Sequence, residues 1–348
     1  MSLALSVLDL VPVRSGQSSA QAIAASMSLA QRADRLGFAR YWFAEHHNMP
    51  AVASTNPPVL VAAAAALTER IRVGSGGVML PNHAPLVVAE QFAAIEAMAP
   101  GRVDLGIGRA PGSDPVISQL LRLSGTTSDV DRFPDHIADI RSLLSPEGAN
   151  LRLTSGREYA ITATPAATGT PEVWLLGSSD YSARLAAAEG LPYVFANHFS
   201  GQGLERALEL YRSEFAPGAL EAPKTFLTAN VVVAPTAAEA ERRALPQMRT
   251  MARLRLGLPL RGLETVDEAE ADAAARTNSA MDELVAAQRQ AWFIGDPADV
   301  ASRLRAFAER HGVEEIMLSP VAAAFADEPL DAAPGREQTL ELLADAIG

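Results

Sequence analysis

Hydrophobic and polar positions along this chain switch repeatedly between short strand-like runs and longer runs at helical spacing. Ala4 to Leu10 reads as a strand, and Ser18 to Leu36 as a helix with Ile23, Met27 and Ala30 on one face. The aromatic-rich strand Arg40 to Ala44 is followed by a helix from Pro58 to Thr68. Next come strand Ile71 to Leu80 and helix Leu86 to Met98, where Val88, Phe92, Ile95 and Ala99 recur at helical spacing. Val103 to Gly108 is a fourth strand, ending in glycine.

The alternation then pauses. Residues 110 to 128, rich in Gly, Ser, Pro and Asp, predict a long loop over the strand ends. A helix follows from Asp131 to Leu144, and Leu151 to Thr162, centred on Ser155-Gly156, reads as a hairpin. The rhythm resumes with strand Glu172 to Leu176, helix Tyr181 to Glu189, strand Tyr193 to Ala196, helix Leu204 to Phe215 and strand Thr225 to Val233. Ala237 to Gln290 is polar, alanine-rich and helical, longer than one crossover needs, and predicts a helical excursion covering one end of the fold. Asp296-Pro297 supplies an N-cap with proline in the first turn, ahead of an apolar stripe of Val300, Leu304 and Phe307. Strand Glu315 to Leu318 and a helix from Glu337 to Ala346 complete the chain.

Eight strand–helix units in 348 residues match an α/β fold of the (β/α)8 TIM-barrel type with insertions, taken as a single domain over 1–348. The alternative is an open doubly wound sheet. No glycine-rich dinucleotide fingerprint follows the first strand, and Gly74-Ser75-Gly76-Gly77 lies within a strand at the wrong spacing.

Charge narrows the class of partner. Lys plus Arg number 29 against 41 Asp plus Glu, a net charge of -12, which argues against nucleic acid or an anionic membrane as a main partner. With no cysteine, disulfides, thiolate metal sites and a cysteine nucleophile are excluded. Met1 to Asp9 lacks the pattern of a secretory signal, and the apolar run Pro57 to Leu67 is too short to span a bilayer. A cytoplasmic enzyme is the expectation.

Barrel enzymes carry their chemistry at the C-terminal ends of the strands. There stand Glu45-His46-His47, Gly76-Gly77 with His83 beyond, Gly108-Arg109, Gly177-Ser178-Ser179-Asp180 with Ser182, and Asn197-His198. Four of the six histidines fall in this set. Adjacent strand residues face opposite ways, so one histidine at most of the pair His46-His47 faces the barrel interior. The group reads as a neutral imidazole for proton transfer with Glu45 orienting its neighbour, as part of a metal site with His83 or His198, or as a polar layer satisfying buried backbone. The turn Gly177 to Ser182 suits a phosphate through backbone N–H groups and hydroxyls at a helix start, with Arg109 adding charge, although a plain N-cap explains the same residues. The Gly74–Gly77 run fits a flat ligand against the backbone, an unusual peptide geometry or tight barrel packing.

These motifs resemble the bacterial luciferase-like family of flavin-dependent monooxygenases. The likeness rests on Tyr41-Trp42-Phe43-Ala44-Glu45-His46-His47, Val73 to Pro81, Pro100 to Arg109, Gly177-Ser178-Ser179 and Gly295-Asp296-Pro297, in order over nearly the whole chain. It implies a barrel binding reduced FMN (FMNH2) at its C-terminal mouth. Arg109, Ser178, Ser179 and Ser182 would hold the phosphate. Gly76-Gly77 would form a non-proline cis peptide under the ring, with Gly108 and Glu90 near the flavin. His46, assisted by Glu45, would steer a proton during oxygenation of a small organic substrate by O2 through a flavin C4a-(hydro)peroxide. A separate NAD(P)H:flavin reductase is implied, because no nicotinamide site is evident. Luciferase itself has a reactive cysteine where Gly108 stands, so light emission is not implied. Relatives that use the deazaflavin F420, or bind flavin without turnover, are the alternatives within the resemblance. A metal-dependent barrel hydrolase is the alternative outside it. The alanine-rich Ala62 to Ala66 allows close helix approach and a homodimer through the second and third helices.

Overall fold

The computed structural model describes residues 3–110, 112, 115–122, 130–199, 201–218, 220–275 and 278–348. In chain order the elements are β1 (Ala4–Asp9), α1 (Ser19–Arg35), β2 (Arg40–Phe43), α2 (Pro57–Leu67), β3 (Arg72–Met79), α3 (Pro85–Met98), β4 (Val103–Gly108) and α4 (Pro115–Arg122). Then follow α5 (Phe133–Leu144), β5 (Ala149–Arg152), β6 (Glu158–Ile161), β7 (Glu172–Gly177), α6 (Asp180–Ala188), β8 (Tyr193–Phe195), α7 (Leu204–Ser213) and β9 (Thr225–Val233). The remainder comprises α8 (Ala237–Arg255), α9 (Val266–Ala275), α10 (Ser279–Ala291), β10 (Phe293–Gly295), α11 (Pro297–His311), β11 (Glu315–Pro320) and α12 (Pro334–Ile347).

Strands β9, β11, β1, β2, β3, β4, β7 and β8 pair in that order, all parallel, and the β8–β9 pairing closes the ring. The fold is therefore the closed (β/α)8 barrel expected from the alternation. Each strand is buried on both faces, as a parallel sheet wrapped in helices requires. Alternation along the strands sorts the side chains into two cores. Val7, Tyr41, Val73, Leu105, Leu175 and Leu227 point outward to the helices. Leu8, Trp42, Trp174, Val194, Phe226 and Met317 fill the interior, where Trp42, Trp174 and Phe226 meet at ring-centroid distances of 4.9 to 5.7 Å.

The departures from the sequence reading are local. The hairpin is β5–β6, at 149–161. A short strand, β10, unread in the sequence, extends the sheet beside the end of β9 because Phe293 to Gly295 pairs with Val231 to Val233. The excursion is three helices, α8 to α10, of which α8 (Ala240, Ala244, Met248) and α10 (Met281, Val285) pack with Val232, Ile294 and Ala322 at the C-terminal ends of β9, β10 and β11. The segment 110–128, read as a loop, contains the helix α4; Ala110 and Gly112 are also described, and the remainder lies outside the described residues. Asp296 caps α11 as read, accepting from the N–H groups of Ala298 and Asp299. No helix among the described residues is long and apolar enough to cross a membrane.

Candidate active site

Close approach of β3 and β4 shapes one wall of the mouth. A Cβ on Gly74 would lie 2.5 Å from the Asp104 carbonyl oxygen, one on Gly76 2.6 Å from Leu8 Cδ1, and one on Gly77 2.8 Å from the Gly106 carbonyl oxygen. Tight packing thus accounts for the glycine run without a ligand. The Gly76–Gly77 peptide is also cis, as the resemblance implied. At Gly108 a Cβ would meet chiefly the Met79 side chain, at 3.1 Å, so this position has more room than its neighbours.

Glu45 follows β2 and is fully buried. Its Oε1 accepts from His47 Nε2 at 2.9 Å and His83 Nε2 at 2.8 Å, and its Oε2 accepts from the Met79 N–H at 2.9 Å. Burial pushes this carboxyl up, but the bonds from His47 and His83 and the Met79 N–H outweigh it and hold it at about 2. An ionised carboxylate only accepts, so both imidazoles carry their protons on Nε2. The neighbour that Glu45 orients is therefore His47, together with His83, and not His46. The residue ties the end of β2 to the segment after β3. The His47 N–H extends this anchoring by donating to the Gly112 carbonyl at 3.1 Å.

His46 lies two residues beyond Ala44, which packs in the interior cluster, so alternation sends it inward. Its backbone N–H donates to the Ser54 carbonyl at 2.9 Å. Its Nδ1 is buried without a hydrogen-bond partner among the described residues. Burial lowers its pKa, against the charge of Glu45, and keeps the ring neutral. Across the mouth, His198 is lowered to about 4 by burial and by the charge His46 would carry. These two neutral imidazoles form the inner side of the mouth.

The anion-binding candidates converge on the β4–β7 neighbours, where Gly108 pairs with Leu176. The Arg109 guanidinium stacks on Tyr181 in the first turn of α6, 3.9 Å from the ring centroid, and has no carboxylate partner among the described residues. Ser179 is the N-cap of α6 yet makes no capping bond with its side chain, and the hydroxyls of Ser178 and Ser179 are exposed. An uncapped helix start with free hydroxyls beside an arginine has the donor set for a phosphate. Ser182 stands apart, being buried and donating to the Ser179 carbonyl at 2.9 Å. Glu90, on α3, accepts from Thr164 Oγ1 at 3.1 Å and does not join the Glu45 cluster.

Three contributors escaped the sequence reading. Tyr181, the stacking platform, carried no signal there. Thr228 and Asn230 did carry one: they are polar residues on alternate positions of a strand whose other buried residues are apolar. Thr228 engages His198, and Asn230 Nδ2 donates to the His198 carbonyl at 2.6 Å. Among the described residues no three His, Asp or Glu side chains gather as a metal site.

A closed parallel barrel with polar, histidine-bearing strand ends belongs to the class of architectures that carry enzyme sites at the C-terminal face. Within that class the chain belongs to the luciferase-like monooxygenase family, whose sequence model matches residues 3–315. It is 43% identical over 258 residues to a luciferase-like monooxygenase of Escherichia coli (strain K12), covering 73% of this chain and 74% of that one. The solved structure of apo-MsnO8 superposes with a TM-score of 0.86 at 33% identity, covering 99% of this chain and 98% of that chain. The oxygenating constituent of 3,6-diketocamphane monooxygenase from a Pseudomonas putida plasmid, a type II Baeyer–Villiger enzyme determined with FMN, shares the fold with a TM-score of 0.74 at 20% identity, covering 99% of this chain and 97% of that chain.

Proposed function

We propose that the protein is a monooxygenase that uses reduced FMN and O2 to oxygenate a small organic substrate. The observation that carries this reading is the placement of Arg109 on Tyr181, beside the uncapped Ser178–Ser179 turn, at the same barrel mouth as the half-buried, neutral His46. Bound there, reduced FMN would supply the oxygen-transfer chemistry. Arg109, the Ser178 and Ser179 hydroxyls and the first N–H groups of α6 would hold its phosphate. Ser182 would support the turn from beneath, and Gly76, Gly77 and Gly108 would leave bare backbone for the ring. Glu90 is assigned to the rim of the same cofactor site. His46, with an unpartnered Nδ1, would accept or return a proton at the reacting oxygen or the substrate. Glu45 acts through its neighbours as a positioning residue, fixing His47, His83 and the end of β3.

The helices α8 to α10 would exclude water. Arg255 Nη2, at the end of α8, donates to the Phe199 carbonyl at 3.1 Å and fastens the excursion to the turn after β8. A separate NAD(P)H:flavin reductase would deliver reduced flavin, a division of labour supported by the "oxygenating constituent" of the camphane enzyme. Supply from reduced nicotinamide makes the cytoplasm the place of action. A homodimer through α2 and α3 fits the exposed Val59, Leu67, Val87 and Met98 on those helices and is checked by sedimentation.

Anaerobic titration with FMN, FMNH2 and F420, followed by O2 uptake and label from 18O2 in the product, tests the reading. FMNH2 binding with labelled product is the expected result. Hydride transfer to or from F420 without O2 uptake would replace it with a deazaflavin dehydrogenase. Flavin binding without turnover would leave a carrier, and tightly bound metal with chelator-sensitive hydrolysis would overturn it altogether.

A further inference from the structure

His198 follows β8 and has no role in the scheme above. Its environment fixes which ring nitrogen carries the proton. Thr228 lies two residues beyond Phe226 of the interior cluster, so its side chain also faces into the barrel. Three groups meet the Thr228 hydroxyl: the His198 backbone N–H at 3.2 Å, the Phe195 carbonyl oxygen at 3.2 Å and His198 Nδ1 at 2.9 Å. The N–H only donates and the carbonyl, which also takes the Asn197 N–H at 2.8 Å, only accepts, so all three contacts are hydrogen bonds only when the single hydroxyl proton turns to Phe195. The remaining contact is then Nδ1–H donating to Oγ1. The opposite assignment would leave two acceptor oxygens facing each other at 3.2 Å with no proton between them. The ring is neutral, so Nε2 bears a lone pair. That nitrogen makes no hydrogen bond among the described residues, and the residue is half-buried.

We infer that His198, locked by Thr228 as its Nδ1–H tautomer, is a specificity-determining acceptor that offers only a lone pair to the molecule bound at the mouth and so favours reduced over oxidised FMN. Reduced isoalloxazine carries an N–H that the oxidised ring replaces with a lone pair. An acceptor that cannot donate gains a hydrogen bond from the first and faces repulsion from the second. The choice of flavin rests on the function proposed above, whereas the tautomer does not.

Long-range 1H–15N NMR of the imidazoles in the whole protein reads the tautomer directly. The wild type and Thr228→Ser should show Nδ1–H for His198, and Thr228→Val should lose that fixed assignment. The ratio of the dissociation constants for FMN and FMNH2, measured anaerobically, should fall about three- to tenfold in His198→Leu and in Thr228→Val and be retained in Thr228→Ser, the range expected for one hydrogen bond. An Nε2–H signal in the wild type overturns the proposal. So does an unchanged ratio in His198→Leu, including the case where both forms weaken equally, which would mark a merely structural role. A wild type that binds neither flavin overturns the proposed function and the selectivity together, and the spectrum still decides the tautomer.

Discussion

The two ends of the barrel are lined by similar residue types and differ in how those groups are paired. At the N-terminal floor, Asp104 accepts from Arg40 Nη1 at 2.8 Å, Arg72 Nη2 at 2.6 Å and Trp42 Nε1 at 2.9 Å. Glu315 takes Arg40 Nε and the Ser6 hydroxyl, and Glu172 takes Lys224 and Trp174 Nε1. The Arg40 guanidinium also lies 4.8 Å from the Trp174 ring centroid. At the mouth, by contrast, His46 Nδ1 is buried without a partner, Ser179 leaves its helix uncapped, and Arg109 stacks on a ring with no carboxylate beside it among the described residues. Buried polar groups are ordinarily satisfied, so the paired Asp104–Arg40 network beside a mouth that leaves these groups open points to the mouth as the place where a ligand completes them, although Glu96 Oε2 near the floor is also buried without a partner among the described residues. The floor holds the barrel shut, and the mouth waits for chemistry.

The contrast breaks most sharply at His46. His46→Ala should lower substrate oxidation at saturating FMNH2 by about 10²- to 10⁴-fold, the usual span for a lost acid–base group, with the thermal unfolding midpoint nearly unchanged. Turnover at the wild-type rate would return His46 to the role of a structural polar residue. The floor should give the reverse pattern. Asp104→Asn leaves Arg40 and Arg72 short of a buried counter-charge, so urea denaturation should show a loss of about 3–5 kcal/mol while FMN affinity stays as it was. A stable variant with weakened flavin binding would erase the distinction between the ends.

The acid response separates them again, within the mouth. The folded Glu45 carboxyl, at about 2, lies below its ordinary value of 4.5, so the stability it lends is complete above about pH 4.5 and is lost as pH falls through about 2. The loss is about 3 kcal/mol by linkage. His198, lowered from 6.5 to about 4, acts in the same direction in the window above, because the unfolded chain takes up a proton that the folded imidazole refuses. Stability measured from pH 7 down to 2 should therefore fall in two stretches. Glu45→Gln should flatten the lower one and leave the upper one in place, and a lower stretch of undiminished slope would show that other carboxylates dominate it.

How much of this was legible in the sequence follows from where the information resides. Strand and helix periods are local, so the eight barrel strands could be read from runs such as Arg40 to Ala44, while β10 was too short to stand out from its surroundings. The clustering of His46, His83 and His198 followed from placing them at strand ends. Their pairing did not, because whether Glu45 meets His46 or His47 depends on which side of the strand end each leaves and on His83 arriving from the next loop. Thr228 and Asn230 were readable in principle as polar residues on the inner face of a buried strand. Tyr181 was not, since its use as a platform for Arg109 depends on β4 and β7 being neighbours. The glycine run stayed ambiguous until the Asp104 and Gly106 carbonyls were seen to occupy the Cβ positions.

The finest resolution of the comparison comes from Arg109, the mouth's counterpart to Arg40. An arginine held by carboxylates, as at the floor, has its charge already answered, and a phosphate would have to compete for it. Arg109 rests on the Tyr181 face, which orients the planar guanidinium and holds it in place without neutralising it. Arg109→Ala should therefore weaken FMN binding by about 10- to 100-fold, the range for losing one or two charge-assisted hydrogen bonds, and leave riboflavin, which has no phosphate, almost unaffected. Arg109→Lys should recover only part of the loss, because an ammonium keeps the charge but neither stacks as a plane nor reaches two oxygens at once. Equal losses for FMN and riboflavin in Arg109→Ala would mean that the residue shapes the mouth as a whole, and the open donor set beside α6 would then need a different occupant.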